Sequence, residues 1–418
     1  MSITKWLVLV FLLGWNSTAL ATEVATQKTA DGWQLLVEGK LFFIKGMSYS
    51  PTSIGESADD GTRRNWMIVD DDRDGRNDYA YQTWIDENKN NYRDPQEKEV
   101  GDFELMRQMG INTIRIYHHL SADPGLQKIN AYSGKSSNYP PDFPPEKEKM
   151  LLRELHSQYG IWVAMGDLLG AYSVSSGASW DVGTDYTDPI QQANMLKSVE
   201  EMVRTHKDEP YILMWILGNE NNLQEFTHTL ASRQPEAYAR FVNKATMLIK
   251  KIDPNHPVAI CNGAYGLLEY YAKYAPAVDI FGLNFYSDNG FHEMWKNIAS
   301  IYDRPVLLTE YGTGQPMVID GKIDENVQTR IHLRAWEDIV RHSVGSEKPG
   351  NAIGGFVFQW VDEWWFDGNK WGQNINPKGD GWNHEYNGMF SLGSGSAGSL
   401  LRQPRKVYGA YQELWKKD

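Results

Sequence analysis

Glu220 closes the run Trp215-Ile-Leu-Gly-Asn-Glu, and Glu310 closes Val306-Leu-Leu-Thr-Glu. Each carboxyl follows a strand-like apolar segment, so the backbone delivers it to one end of a β-element. Two carboxyls facing one another are what cleavage of a glycosidic bond requires. One stays protonated and donates to the leaving oxygen, and the other stays ionised as nucleophile or as base for water. The competing reading makes each glutamate a salt-bridged rim residue. The joint occurrence of the two, with Asn219 beside Glu220, favours chemistry. Arg115 and Tyr117 share one face of the segment Ile111–His118 by the period of two. An arginine placed inside such a site needs an acidic partner, and Glu310 is the evident one. Asp167 ends a third apolar run, where it binds a hydroxyl or braces a loop.

Elements that could hold these residues are legible as eight β-branched and aromatic runs bounded by turn residues. They are Leu41–Ser50, Ile111–His118, Ile161–Leu168, Ile212–Asn219, Pro257–Asn262, Val278–Tyr286, Pro305–Tyr311 and Ile353–Val361. Helix-period segments lie between them, and Pro404–Lys416 reads as a final helix. The runs lack strict alternation, as expected of strands buried on both faces. Eight alternating βα units predict an α/β fold, a single (β/α)8 barrel over 22–418. Glu220 and Glu310 then reach the C-terminal mouth of strands four and seven. A short hairpin turning at Glu38-Gly39-Lys40 is expected to close the barrel floor. The long polar segments at 56–100, 121–145 and 364–401 all follow strands, on the side where barrel sites are built.

The insertion at 56–100 carries a pattern of its own. Asp70, Asp72, Asp74 and Asp78 fall at positions one, three, five and nine of a loop with Gly75 at six. Asp86, Asn88, Asn90, Asp94 and Glu97 fall at one, three, five, nine and twelve of a second loop. Oxygen ligands at this spacing wrap a calcium ion. The first loop has Tyr81 in place of the twelfth-position acid, and the second has Asn91 in place of glycine. Structural calcium is the expectation, against a merely solvated acidic insertion.

At this point the residues resemble known families. Asn219-Glu220 after strand four, with Glu310 after strand seven, resembles glycoside hydrolase clan A. The stretches HKDEPYILMWILGNE and GGFVFQWVDEWW resemble the barrel domain of glycoside hydrolase family 2. FFIKGMSYSP, GINTIRIY, VDIFGLNFYS and PVLLTEYGTG resemble both that domain and the family 72 β-1,3-glucanosyltransferases. The resemblance implies a retaining double displacement, with Glu220 as acid/base and Glu310 as nucleophile. It implies that Asn219 holds the sugar 2-hydroxyl and that Tyr286 donates its hydroxyl to Glu310. Arg115 matches a buried arginine near the nucleophile, Tyr117 a family 72 residue, and His118 a sugar-contacting family 2 histidine. The first aromatic after GGFV is tryptophan in family 2 and tyrosine in family 72, whereas here it is Phe358. Phe358 or Trp360 is therefore the expected sugar platform, and Trp364, Trp365, Trp371 and Trp382 crowd the loop beyond. Family 2 enzymes usually carry β-sandwich domains before the barrel. Their apparent lack here puts family 2 substrates such as galactosides and glucuronides in doubt, and a β-glucan is the substrate the family resemblance implies.

Composition bounds the remaining classes. Lysine plus arginine is 41 against 54 acidic residues, a formal charge of −13. A chain so acidic is a poor nucleic-acid binder. Sixteen Trp and 22 Tyr suit a surface that stacks on neutral rings. Residues 1–21 read as a cleaved signal peptide, with Lys5 before the apolar run Trp6–Trp15 and a small-x-small end at Ala19–Ala21. No membrane attachment is expected after cleavage, and the product is secreted or periplasmic. Cys261 is the one cysteine, expected as a buried structural thiol. The sequence thus predicts an exported monomeric β-glycoside hydrolase, without catalytic cofactor, acting on a polysaccharide or oligosaccharide. A glucan-remodelling transglycosylase and a non-catalytic carbohydrate-binding protein are its rivals.

Overall fold

The computed structural model describes residues 22–121, 123, 145–314, 316, 318–319, 322–346, 350–375 and 383–416. The expected signal segment 1–21 and Trp382 lie outside them, as does most of the segment 121–145.

Eight parallel strands close into a barrel: β1 Ile44–Ser48, β2 Thr113–Ile116, β3 Trp162–Asp167, β4 Ile212–Leu217, β5 Val258–Gly263, β6 Ile280–Asn284, β7 Val306–Tyr311 and β8 Ala352–Val357. Each pairs with its sequence neighbours, and β8 returns to β1 through Gly354 opposite Ile44 and Val357 opposite Met47. Between them run α1 Asp102–Met109, α2 Pro145–Tyr159, α3 Pro189–His206, α4 Pro235–Ile252, α5 Leu268–Tyr274, α6 Met294–Ile301 and α7 Glu325–Arg341. Helix α8, Lys406–Trp415, follows β8. The (β/α)8 expectation is met, with every expected strand present and most of them shorter than expected; β5 is shifted one residue on, and β8 begins one residue earlier, at Ala352, and ends four residues earlier.

Local sequence explains the punctuation. Asp188 caps α3 by accepting from the N–H groups of Ile190 at 2.7 Å and Gln191 at 3.2 Å, ahead of Pro189. Asp324 caps α7 in the same way. Helix α1 stops at Gly110, whose φ of +91° a side chain would resist.

Two apolar layers follow from burying both strand faces. Ile44, Met214, Cys261, Ile280, Leu307 and Phe356 fill the barrel interior, joined from below by Val24, Leu35 and Val37. Those three come from an antiparallel sheet of Val24–Thr29, Gly32–Val37 and Lys40–Phe42, with the expected turn at Glu38-Gly39. The larger layer lies between the strands and the helices. The insertion at 56–100 contains only short elements. Its Trp84–Ile85 pairs with Leu401–Arg402, which binds the insertion to the segment before α8. Among the described residues, no helix is long and apolar enough to cross a membrane.

Candidate active site

The barrel brings both glutamates to the same mouth. Glu310 is the fifth residue of β7, and Glu220 lies in the turn after β4. That turn is tight, with Gly218 at φ +78° and Glu220 at φ +55°. A non-glycine residue in the left-handed region costs energy and persists only where neighbours enforce it. Asn221 is the enforcer. Its side-chain oxygen accepts from the N–H of Asn219 at 2.8 Å. Its amide donates to the carbonyls of Leu168 and Leu169 at 3.2 and 3.0 Å, and to the Tyr186 hydroxyl at 2.8 Å.

Three donors from two strand ends, those of β2 and β6, converge on Glu310. Arg115 Nη1 donates to Oε1 at 3.0 Å, and the Tyr117 hydroxyl donates to the same oxygen at 2.7 Å. The Tyr286 hydroxyl donates to Oε2 at 2.6 Å. Arg115 also lies with its guanidinium 4.2 Å from the Tyr117 ring centre. Its Nη2 donates to Asn219 Oδ1 at 2.8 Å. Tyr286 and Arg115 thus stand where the resemblance puts them, and Tyr117 is a third hydroxyl or guanidinium donor to the carboxylate. The amide of Asn219 faces the Tyr172 hydroxyl at 3.3 Å, and Asn284 reaches Asn219 Oδ1 at 3.2 Å.

Glu220 is prepared in the opposite sense. Burial and the neighbouring charge of Glu310 push its carboxyl up to about 8, against the opposing pull of Asn284 and Arg115. One carboxyl is held by three donors, while its neighbour keeps its proton near neutrality. Such an unlike pair can divide the work of acid and nucleophile.

Two of the candidate contact residues, Asp167 and Trp360, are buried. Asp167 is fully buried. It accepts from Leu169 N–H at 2.8 Å and from the Ser198 hydroxyl at 2.6 Å. Burial opposes its charge, but His118, His119 and Ser198 outweigh it and hold the carboxyl down to about 2. In this arrangement it braces the loop after β3, the second of the two roles its position at a strand end allowed. Trp360 is 1% exposed and packs on Tyr49, Phe390 and Tyr408. The shared-face argument for Phe358 and Trp360 fails because β8 ends at Val357, before either residue. Phe358 remains half-buried beside Tyr286, with ring centres 6.2 Å apart. His118 sits at the mouth, its Nδ1 3.8 Å from Asp167. Of the loop tryptophans, Trp364 and Trp365 are buried and Trp371 is exposed. Cys261 is buried behind the site, 3.2 Å from Arg115, and burial pushes its thiol up to about 11.

Sequence reasoning missed four residues. Asn221 and Asn284 are buried amides: the first fixes the turn that carries Glu220, and the second bonds to Asn219 and to Thr309 beside Glu310. The run Gly-Asn-Glu-Asn-Asn hinted at the first, because consecutive amides after a strand suit a hydrogen-bonded turn. Glu363 and Arg63 meet above the barrel at 3.7 Å, with Glu363 also accepting from Trp365 Nε1 at 3.1 Å. Burial raises the Glu363 carboxyl to about 7, Arg63 opposes the rise, and Glu310 adds to it. No local pattern joins positions 63 and 363, which only the closed barrel brings together.

Known proteins resemble this chain in part of its sequence and in fold. Residues 120–325 match the glycosyl hydrolases family 2 TIM barrel domain. That span contains Glu220 and Glu310. A β-glucuronidase of Chlorocebus aethiops is 24% identical over 226 residues, 51% of this chain and 27% of that protein. Among solved structures, a β-D-glucuronidase of Dictyoglomus thermophilum superposes with a TM-score of 0.54 at 16% identity, over 95% of this chain and 54% of that one. A β-galacturonidase of Eisenbergiella tayi gives 0.53 at 16% identity, over 95% and 54%. This chain therefore spans about a quarter of the length of that curated relative and about half of the solved ones. The resemblance to glycoside hydrolase clan A, read first from the motifs, is shown by these matches.

Proposed function

From its resemblance to the family 2 barrel, we propose that the chain is a retaining β-glycoside hydrolase. The observation that carries this reading is the unlike preparation of the two glutamates. Glu310, oriented by Arg115, Tyr117 and Tyr286, attacks the anomeric carbon. The bond to the leaving oxygen breaks as Glu220 gives that oxygen its proton. Glu220, now ionised, takes a proton from water, and the resulting attack on the anomeric carbon releases Glu310. These steps call on two carboxyls and their orienting groups alone.

The similar proteins named above are β-glucuronidases and a β-galacturonidase, which supports a β-uronide over the β-glucan expected from the sequence. Export behind a cleaved leader at Met1–Ala21 stays within the proposal, and N-terminal sequencing of the protein from its native host tests it.

The deciding experiment is turnover of a β-glucuronide, β-galacturonide and β-glucan panel, with products read by mass and anomeric configuration. Retained configuration with shorter products supports the hydrolase, and longer products make the chain a transferase. Glu310→Gln and Glu220→Gln should each lower kcat by about 10²–10⁴-fold or more while leaving the melting temperature near that of the parent. Folded variants that turn over the natural substrate normally would sink the assignment.

A further inference from the structure

The catalytic reading leaves the insertion at 56–100 without a task. In its first acidic loop Asp70, Asp72 and Asp78 each bring a carboxylate oxygen within 4.8 Å of the others. Asp78 is 4% exposed, and its Oδ1 has no hydrogen-bond partner among the described residues. Asp70 Oδ1 is buried in the same condition. Carboxylates gathered this closely repel, and buried carboxylate oxygens without a donor persist cheaply only near a positive charge. The surroundings indicate where that charge belongs. The side-chain nitrogen of Gln82 lies 3.1 Å from Asp72 Oδ2 and 3.1 Å from Asp74 Oδ2. An amide offers an oxygen at nearly the same point after a half-turn of its last bond.

The loop geometry fits this reading. Gly75 sits at φ +87° at the sixth position, where the chain turns back. Tyr81, at the twelfth, is engaged with Glu154 at 2.7 Å and supplies no carboxylate. Gln82, the next residue, is buried and points to the aspartates in its place. We propose that a calcium ion binds this first loop, held by Asp70, Asp72, Asp74 and Asp78, with the Gln82 amide oxygen replacing the missing twelfth-position acid.

The ion has a structural consequence at the barrel mouth. Asp71, inside the loop, pairs with Arg64 at 2.5 Å, and Arg64 pairs with Glu56 at 2.5 Å. The adjoining Arg63 donates to the Ser50 carbonyl at 3.1 Å, just beyond β1, and lies over the Trp365 ring at 5.2 Å. Calcium in the loop therefore fixes the strap that carries Arg63 to Glu363.

The test is calorimetric titration of the chelator-treated full chain with calcium chloride, alongside thermal melts with and without the salt. Calcium should bind and raise the melting temperature by several degrees, since a ligand held only by the folded state stabilises it by mass action. Asp78→Asn should weaken binding at this site at least tenfold. Gln82→Ala should weaken it and Gln82→Glu should tighten it, a pair that decides the matter even if Asp78→Asn fails to fold. A parent protein that takes up no calcium, or Gln82 variants that titrate as the parent does, would overturn the proposal. These readouts do not depend on glycoside turnover, so the metal site and the glycosidase reading stand or fall separately.

Discussion

Glu220 leaves β4 in a backbone conformation that costs energy, and its carboxyl is pushed up to about 8 by burial and by Glu310. A general acid with that property works while protonated. The expected kcat/KM therefore falls as pH rises through about 8, and Glu220→Gln should lose this alkaline limb along with most activity. The same shift sets a stability slope. Between its ordinary value of 4.5 and about 8 the folded state holds a proton that the unfolded chain has released. Stability conferred by that proton is complete below this window and is lost across it as pH rises. Melts of parent and Glu220→Gln from pH 5 to 9 should show a smaller decline in the variant. An equal decline in both would assign the alkaline behaviour to another group. Tyr286→Phe removes one of three donors to Glu310 without emptying any space. A hydrogen bond to a charged group contributes about 1.5–3 kcal/mol, so kcat should fall about 10–100-fold with the melting temperature little changed.

The strands were readable because a buried parallel strand is a dense apolar run, and such runs are unambiguous when turn residues bound them. Both glutamates were readable for the same reason, each being the polar residue at a strand's end. The element beyond β8 was not. A period-two argument holds only while the strand lasts, and β8 stops at Val357, one residue short of the first candidate platform. Trp360 consequently turns into the apolar layer, and Phe358 stays at the mouth. The surroundings of Asp167 were hidden for a related reason. It does end a strand, but His119 and Ser198 cover it, and both come from segments distant in sequence. The two aromatics can be separated experimentally. Trp360→Ala should destabilise the fold by about 3–5 kcal/mol through the cavity it leaves, read in denaturant melts. Phe358→Ala should leave stability nearly unchanged and raise KM or lower kcat. The opposite pattern would restore Trp360 as the platform.

At the scale of the whole molecule, a barrel of successive βα units must join its last unit to its first. Strand pairing between β8 and β1 does part of this. The rest falls to contacts that no short stretch of sequence displays, because their partners are about three hundred residues apart. Trp84–Ile85 of the insertion pairs with Leu401–Arg402, and helix α8 packs on α1 and α7. Tyr408 donates to the Leu105 carbonyl at 3.0 Å, and Lys45 reaches the Trp415 carbonyl at 2.9 Å. At the centre lies a fully buried ion pair. Arg402 donates to Asp102 through Nε at 2.9 Å and Nη2 at 2.8 Å, at the start of α1. Asp102 also accepts from Tyr49 at 2.9 Å and Thr83 at 3.0 Å, so four segments meet on one carboxylate. Tyr49 directly follows β1, which ties this cluster to the strand that closes the barrel. A buried pair of this kind is weak evidence of net stabilisation, yet removing one partner strands the other charge. Asp102→Asn should therefore cost about 3–5 kcal/mol, measured by denaturant unfolding. Replacing both partners by apolar residues of similar volume, as in Asp102→Leu with Arg402→Met, should recover much of that loss. If the double replacement is as damaging as the single one, the cluster is held by its hydrogen bonds to Tyr49 and Thr83, and the ion pair is incidental to closure.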